Sequence, residues 1–407
     1  MKVGNEGILI VGGGLLQIPA IKKAKQLGYR ALVSDGSENC PSAEFADEFY
    51  PVSTKDIEGQ MMLAKSLKEN GKISAVYTQG CDVEYTVAMA ANAAGLPGID
   101  PQVALNCNDK ALMRKMINHS GVDLVKFSSE TDLDGCLEAC SKIGYPCVIK
   151  PLDNSASRGV TVVHDEESAR EGFLLAIECC FLRKEVIVEE FLAGDEFSVD
   201  TVFFKGKMYP AGISDREFIP KDSFSVQTGS LTPSKLSEEL QQKMYDLMDR
   251  VARVLGVNNG AFKGDLVLVD GEPKIIEVTA RTSGGFDSQY RKPYSFGIDI
   301  IKATMDIALG KEMDPTDLVP KWFKWSKTTS VFPEPGVVTR VSGIEQLLRT
   351  KGVRNIFCLV RPGDKIEPYT DCSKRTNFAV ISADTYEELQ KVEKLVWEKL
   401  IIETVKK

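Results

Sequence analysis

The feature that most constrains this chain is a pair of acids set inside strand-like sequence. Residues 262–281 read Phe-Lys-Gly-Asp-Leu-Val-Leu-Val-Asp-Gly-Glu-Pro-Lys-Ile-Ile-Glu-Val-Thr-Ala-Arg. Two apolar-rich runs, 262–269 and 274–279, flank Asp270-Gly271-Glu272-Pro273. An Asp-Gly pair between such runs is a strong hairpin signal. Asp265 and Glu277 fall inside the runs, where an unpaired acid is costly to bury. Glu277 and Thr279 are two apart and share a face. Asp265 joins them only if it lies opposite 277 or 279, because a slip of one residue turns it to the other side. With 265 opposite 277, residues 270–272 form a three-residue loop. A four-residue loop, 270–273, would put Asp265 and Glu277 on opposite faces. Two carboxylates and a hydroxyl on one face make a hard-oxygen site suited to Mg²⁺ beside phosphates. The competing reading is an edge hairpin with solvated acids.

At 407 residues the chain is too long for one core, so two or three domains are expected. A net charge of −8 argues against nucleic acid as the main partner. The ten cysteines include no Cys-x-x-Cys pair, and with two histidines they leave little room for zinc chemistry. They read as reduced thiols of a cytoplasmic protein. No apolar run approaches the ~20 residues of a membrane span.

Taken in order, residues 7–35 read strand, glycine turn, helix, strand, a βαβ unit. Gln17 stands where a dinucleotide fingerprint has its third glycine. A structural turn, or one facing another substrate, fits better than NAD. A helix over 56–69, a strand over 73–78 and a helix over 83–94 follow. Asp82 and Glu84 stand at the end of that strand, where open sheets place ligands, although opening the next helix, whose dipole they favour, explains them better. Helices are expected over 109–119 and 132–142. A strand over 147–150 ends in Lys150, followed by the small-residue loop 154–160, which can approach an anion through its N–H groups. Strands over 161–163 and 186–188 flank a helix over 166–178. Glu196, Ser198 and Asp200 alternate on one strand face. A long helix, 236–255, leads into the hairpin. A helix over 295–309 and a linker at 314–320 precede a smaller α+β unit. In that unit strands fall at 328–332, 354–360 and 377–382, and helices at 343–350 and 384–402. Arg361 and Arg375 flank its strands and read as surface charges.

Three features thus stand in a fixed order: Lys150 with its loop, the Val-Glu-Glu-Phe-Leu hinge at 188–192 with Glu196 beyond it, and the Asp265…Glu277-x-Thr279 hairpin. This order resembles the ATP-grasp superfamily. The resemblance implies a Rossmann-like pre-ATP-grasp domain at 1–105, an ATP-grasp domain at 106–315 with its lid near 125–190, and a small C-terminal α+β domain at 316–407. The fold class would mix α/β and α+β. Position by position it implies ATP phosphates on Lys110 and Lys150, with the loop Ser155, Ser157 and Gly159 over the γ-phosphate. Adenine would meet Glu189 and the backbone of Glu190 and Leu192, and ribose would meet Glu196. Mg²⁺, with Mn²⁺ as an alternative, would sit on Asp265, Glu277 and Thr279, the last often Asn in the family. Arg281 would steady an acyl phosphate. Ser283, Gly284 and Arg216 would help to hold the substrate. Lys263 stands where some ligases have Arg. The implied activity is ATP-dependent, ADP-forming ligation of a carboxylate to an amine on an amino acid, with small molecules as partners and a homodimer compatible with the family. Bicarbonate activation, of the carboxylase or carbamoyl-phosphate type, is the alternative. A nucleotide-binding regulator with a decayed metal site is a third class.

Overall fold

The computed structural model describes residues 6–180, 183–220 and 225–406; residues 181 and 182 of the expected lid span lie outside them. The class is mixed α/β and α+β, as expected. The strand Gly7–Val11 is buried along its whole length, and so reads as one apolar run rather than an alternation. It lies inside a parallel sheet, between Arg30–Ser34 and Ile73–Tyr77, with Glu48–Tyr50 beyond Arg30–Ser34. Gln17, in place of the third glycine, donates from Nε2 to the carbonyl of Gln79. The glycine turn is filled by the chain's own side chain, as a structural turn would be.

A second sheet of eight antiparallel strands forms the body. It runs Glu272–Thr279, Gly260–Val269, Asp195–Phe204, Lys207–Pro220, Ser225–Thr232, Trp325–Thr329, Asn377–Ala383, Val353–Cys358. Because Ser225–Thr232 pairs with Trp325–Thr329, the last unit continues this sheet. The expected strand 328–332 is displaced to 325–329, since Pro333 and Pro335 beyond it have no N–H to donate. The expected helix 295–309 is two helices, Lys292–Phe296 and Ile300–Ala308. They are broken at left-handed Gly297, and Asp299 caps the second through the N–H of Lys302. A third sheet, Phe127–Glu130, Val186–Glu190, Cys147–Pro151 and Thr161–Val163, carries helices Leu133–Ile143 and Glu166–Cys179. No helix among the described residues is long and apolar enough to cross a membrane.

The helix Glu238–Leu255 buries Met244, Leu247, Met248, Val251, Ala252 and Leu255, the 3–4 spacing of one face. Ser237 caps it, two acids open it, and left-handed Gly256 closes it. That face shares a core with Phe262, Leu266, Ile275 and Val278 of the hairpin. A Cβ on Gly264 would meet Met248 Sδ at 2.5 Å. The helix therefore covers one side of the hairpin and leaves Lys263, Asp265, Glu277 and Thr279 to the other.

The hairpin corrects one expectation. Asp265 does lie opposite Glu277, and Lys263 opposite Thr279. The loop, however, has two residues, with Val269 opposite Glu272. Asp270 (φ 50°) and Gly271 (φ 80°) are both left-handed, which the tight Asp-Gly turn requires. That turn alone would set the acids on opposite faces. A bulge at Ile276, between the Asp265–Glu277 and Leu266–Ile275 pairs, restores the shared face.

Beneath the sheet Lys292, Asp200, Asp287 and Arg291 are all almost wholly buried. Lys292 Nζ bonds Asp200 and lies 3.1 Å from Asp287, which Arg291 approaches at 2.8 Å. Asp200 also accepts from the N–H and hydroxyl of Ser283. Burial raises the pKa of Asp287, but Arg291 and Lys292 outweigh it and hold the carboxyl below its ordinary 3.8. Its stabilisation is therefore complete above that value and is lost as pH falls through the lower folded value. Lys292→Met leaves buried acid uncompensated, and urea unfolding at pH 7 should show a loss of about 3–5 kcal/mol. The deficit should shrink as pH is lowered toward 4, because protonating the orphaned acid removes the buried charge. A deficit independent of pH would mean that packing, not charge, is lost.

Candidate functional site

One cavity of about 1050 Å³ lies between the third sheet and the hairpin. Its walls include Lys110, Lys150, Ser155, Ser157, Glu189, Glu190, Leu192, Glu196, Asp265 and Glu277, which the sequence placed around a nucleotide. A second cavity of about 970 Å³ lies beside it and contains Asp82, Glu84, Lys55, Arg158 and Thr279. Lys110, Asn154, Ser155 and Glu277 line both.

The charged groups of the first cavity hold one another. Glu189 is buried. Its Oε1 accepts from Arg114 Nε at 2.6 Å and its Oε2 from Lys150 Nζ at 2.7 Å. Burial raises the pKa of Glu189, and the two cations overcome this and hold it at about 2. Arg114 was not foreseen. It sits one turn after Lys110 on the helix Lys110–Ser120, and its NH2 also bonds the carbonyls of Ile275 and Ile276, at the bulge. The i, i+4 pairing of Lys110 with a second cation was the available signal. Lys110 Nζ donates to the carbonyl of Asn154 at 2.9 Å and stands 3.8 Å from Glu277.

Asp265 is bonded by Lys263 and lies 3.4 Å from Arg216, which donates to Glu196 at 2.8 Å. Burial raises the Asp265 pKa, and these cations drive it far below the usual carboxylate range. Arg216 thus belongs to the nucleotide-side cavity, a correction to its expected place on the substrate. Burial alone would lower its own pKa, and Asp265 and Glu196 raise it. Asp265 Oδ1 and Thr279 Oγ1 are buried with no hydrogen-bond partner among the described residues. Two such orphaned oxygens, with Glu277 beside them, fit a hard divalent cation. Asp265, Glu277 and Thr279 would hold it, with ligand oxygens completing the shell.

The loop after Lys150 is wound tightly. Ala156, Ser157 and Gly159 all have φ near +60 to +72°, a run that turns successive N–H groups to one side. Gly159 does not face the cavity: a Cβ there would meet Cys179 Cβ at 2.7 Å. It is fixed by close approach to the helix Glu166–Cys179, which corrects its expected phosphate contact. Ser283 and Gly284 also differ from expectation. The Ser283 hydroxyl is committed to Asp200, and a Cβ on Gly284 would crowd the carbonyl of Gly80 at 3.2 Å. They brace the floor rather than line either cavity.

Arg281 pairs with Asp82, its Nε 2.9 Å from Oδ1. Asp82 does not open a helix; the helix begins at Glu84. The two acids are electrostatically opposite. Burial raises Asp82, but Arg281 prevails and holds it below its ordinary value. Burial dominates at Glu84 and raises it, and Glu84 Oε2 has no hydrogen-bond partner among the described residues.

Residues 143–289 match the ATP-grasp domain family, and residues 329–405 match the L-amino acid ligase C-terminal domain 2 family. An alanine–anticapsin ligase of Bacillus subtilis is 30% identical over 318 residues, covering 69% of this chain and 66% of that protein. Two further alanine–anticapsin ligases align over 52% of their own length, so the chain spans between half and two thirds of these relatives. An L-amino acid ligase from Bacillus licheniformis superposes along the whole of both chains with a TM-score of 0.85 at 22% identity, a likeness of fold. The matches are consecutive: the chain carries an ATP-grasp domain followed by an L-amino acid ligase C-terminal domain.

Proposed function

We propose that the chain is an ADP-forming ligase that joins the carboxylate of an amino acid to an amine through an acyl phosphate. The observation that carries this is the shared wall. Lys110, Asn154, Ser155 and Glu277 face both cavities, so a terminal phosphoryl group bound in one reaches a carboxylate bound in the other. A carboxylate oxygen attacks the γ-phosphorus of ATP and ADP leaves. An amine nitrogen then attacks the acyl carbon, loses a proton, and the phosphate departs. Mg²⁺ bound at the hairpin acids would offset charge on the phosphoryl group. Lys110 and Lys150 add fixed positive charge, and the third sheet covers the nucleotide and excludes water that would hydrolyse the acyl phosphate.

The second cavity suits an amino acid. Lys110 and Arg158 on its wall offer cations for a carboxylate, Arg281 stands behind Asp82 of that wall, and the unpartnered Glu84 oxygen is an acceptor for an ammonium group. Bicarbonate calls for a small basic pocket, whereas this wall also carries the acids Asp82, Glu84, Asp153 and Glu277. Adenine, at the hinge, would give its amino hydrogens to Glu189 and to the backbone about Glu190 and Leu192.

Phosphate release from ATP across amino acids, singly and in pairs, with and without bicarbonate, tests the reading. Release that requires two amino acids is expected; release that requires bicarbonate alone would reject it. Lys150→Ala and Glu277→Ala should each lower kcat about 10²–10³-fold at saturating Mg-ATP, with an unchanged far-UV spectrum. Near-parental kcat in either would reject the site. GTP should be a poor substitute for ATP, because its 6-oxo group would face the acceptor Glu189 unpaired at a cost of about 1–3 kcal/mol. Equal kcat/KM for the two nucleotides would remove Glu189 from the base pocket.

A further inference from the structure

The C-terminal unit reaches the nucleotide cavity through one loop. The short helix Cys372–Lys374 sits against the tight loop after Lys150, with the N–H of Cys372 donating to the carbonyl of Ala156 at 3.1 Å and its sulfur 3.9 Å from the Ser157 hydroxyl. Ala156 and Ser157 both line the cavity. Arg375 follows directly. Its Nε donates to the Cys372 carbonyl at 3.2 Å, and its guanidinium lies over the Phe378 ring, 4.6 Å from the centroid. Both contacts fix the fork, and neither neutralises it. Arg375 has no carboxylate partner among the described residues. Burial lowers its pKa; the neighbouring Cys372 thiol works against this, and the like charge of Arg216 adds to it. A half-buried guanidinium with no carboxylate on it is unfavourable unless an anion lies beside it.

We propose that Arg375 is a phosphate-binding residue of the site, carried in by the C-terminal unit to contact the terminal phosphoryl group of the nucleotide. The inference rests on the nucleotide reading of the cavity. It corrects the view of Arg375 as a surface charge and gives the C-terminal unit a part in the reaction. A planar fork held by a backbone carbonyl and an aromatic face suits bidentate contact with phosphoryl oxygens. Cys372, three residues before it, touches Ser157 of the loop assigned to the γ-phosphate, so the fork would meet the end of the phosphate chain rather than the adenine.

The test is calorimetric titration of the full-length protein with Mg-ADP and with the magnesium complex of an imido-bridged ATP analogue, for the parent, Arg375→Ala and Arg375→Gln. A charge-assisted contact made only to the terminal group should weaken the analogue by about 10- to 100-fold. Mg-ADP should change by less than about twofold. Arg375→Gln, which keeps the stem and one donor, should fall between and serves where the alanine variant does not fold. Equal weakening of both ligands would make the residue a brace for the loop and overturn the assignment. So would unchanged analogue binding with a raised KM for the amino acid, which would move Arg375 to the other substrate. If the parent binds neither nucleotide, the reading of the cavity falls, and the inference with it.

Discussion

Arg114 is the contact on which the site depends. One guanidinium bonds Glu189 at the hinge and the carbonyls of Ile275 and Ile276 at the hairpin bulge. The bulge is what returns Asp265 and Glu277 to one face after a two-residue turn has set them apart. A bulge leaves a carbonyl without a ladder partner, and here a buried cation supplies the donor. The N–H of Ile275 goes to Asp123, also buried. The local choice of turn and the global need for paired acids disagree, and these two buried side chains, Arg114 and Asp123, reconcile them. Arg114 thereby sets the spacing between the third sheet and the metal-type face, which is the length over which a nucleotide would have to fit.

Much of this was legible in the residues. Strand alternation and the Asp-Gly turn located the hairpin, and the need for Asp265 and Glu277 to share a face left two registers, of which 265 opposite 277 is the one found. Lys150 at the end of a strand located the loop. The bulge was not legible, because the sequence of residues 274–279 reads equally well with or without an extra residue; tertiary partners at 114 and 123 decide it. The Asp82–Arg281 pair was hidden for a similar reason. Acids before a helix satisfy the helix dipole in any fold, and only the packing of the parallel sheet against the hairpin brings position 281 within reach. Ser283 and Gly284 read as room for a ligand, yet the room is taken by Asp200 and Gly80, side chains and backbone remote in sequence. Composition of a loop states what it permits, and its neighbours determine what it does.

The site is also neutralised in advance. Four acids of the first cavity have a cation of the chain near them: Lys150 and Arg114 on Glu189, Lys263 beside Asp265, Arg216 on Glu196 and Lys110 near Glu277, while Glu190 accepts the N–H of Lys126. Without them, burial would favour the protonated acids. Such pairs need not add stability, but they favour the ionised forms of Glu189 and Asp265 in a closed site, whereas at Glu196 burial prevails over Arg216 and raises the carboxyl. A carboxylate has about four acceptor positions. Glu189, with one cation on each oxygen, retains capacity for an adenine amino group without releasing either partner.

The two lysines of that cavity are held differently, and the difference follows the geometry of the lid. Lys150 lies on the strand Cys147–Pro151 and is bound to Glu189 of the adjacent strand Val186–Glu190, so both ends of the contact belong to the third sheet. Any rotation of that sheet carries the pair as a unit. Lys110 lies on a helix outside the sheet, and its partner is the carbonyl of Asn154 at the root of the tight loop. Its contact joins that helix to the loop of the third sheet, and in the proposed reaction an opening of that sheet as a lid would break it. Lys110 stands only 3.8 Å from Glu277, so the cation released from the loop would turn to the metal-type face. In the proposed reaction, opening the lid would therefore exchange a backbone contact for an ion pair with one of the acids that a divalent cation requires. In that reaction Lys110 would couple lid closure to the availability of Glu277.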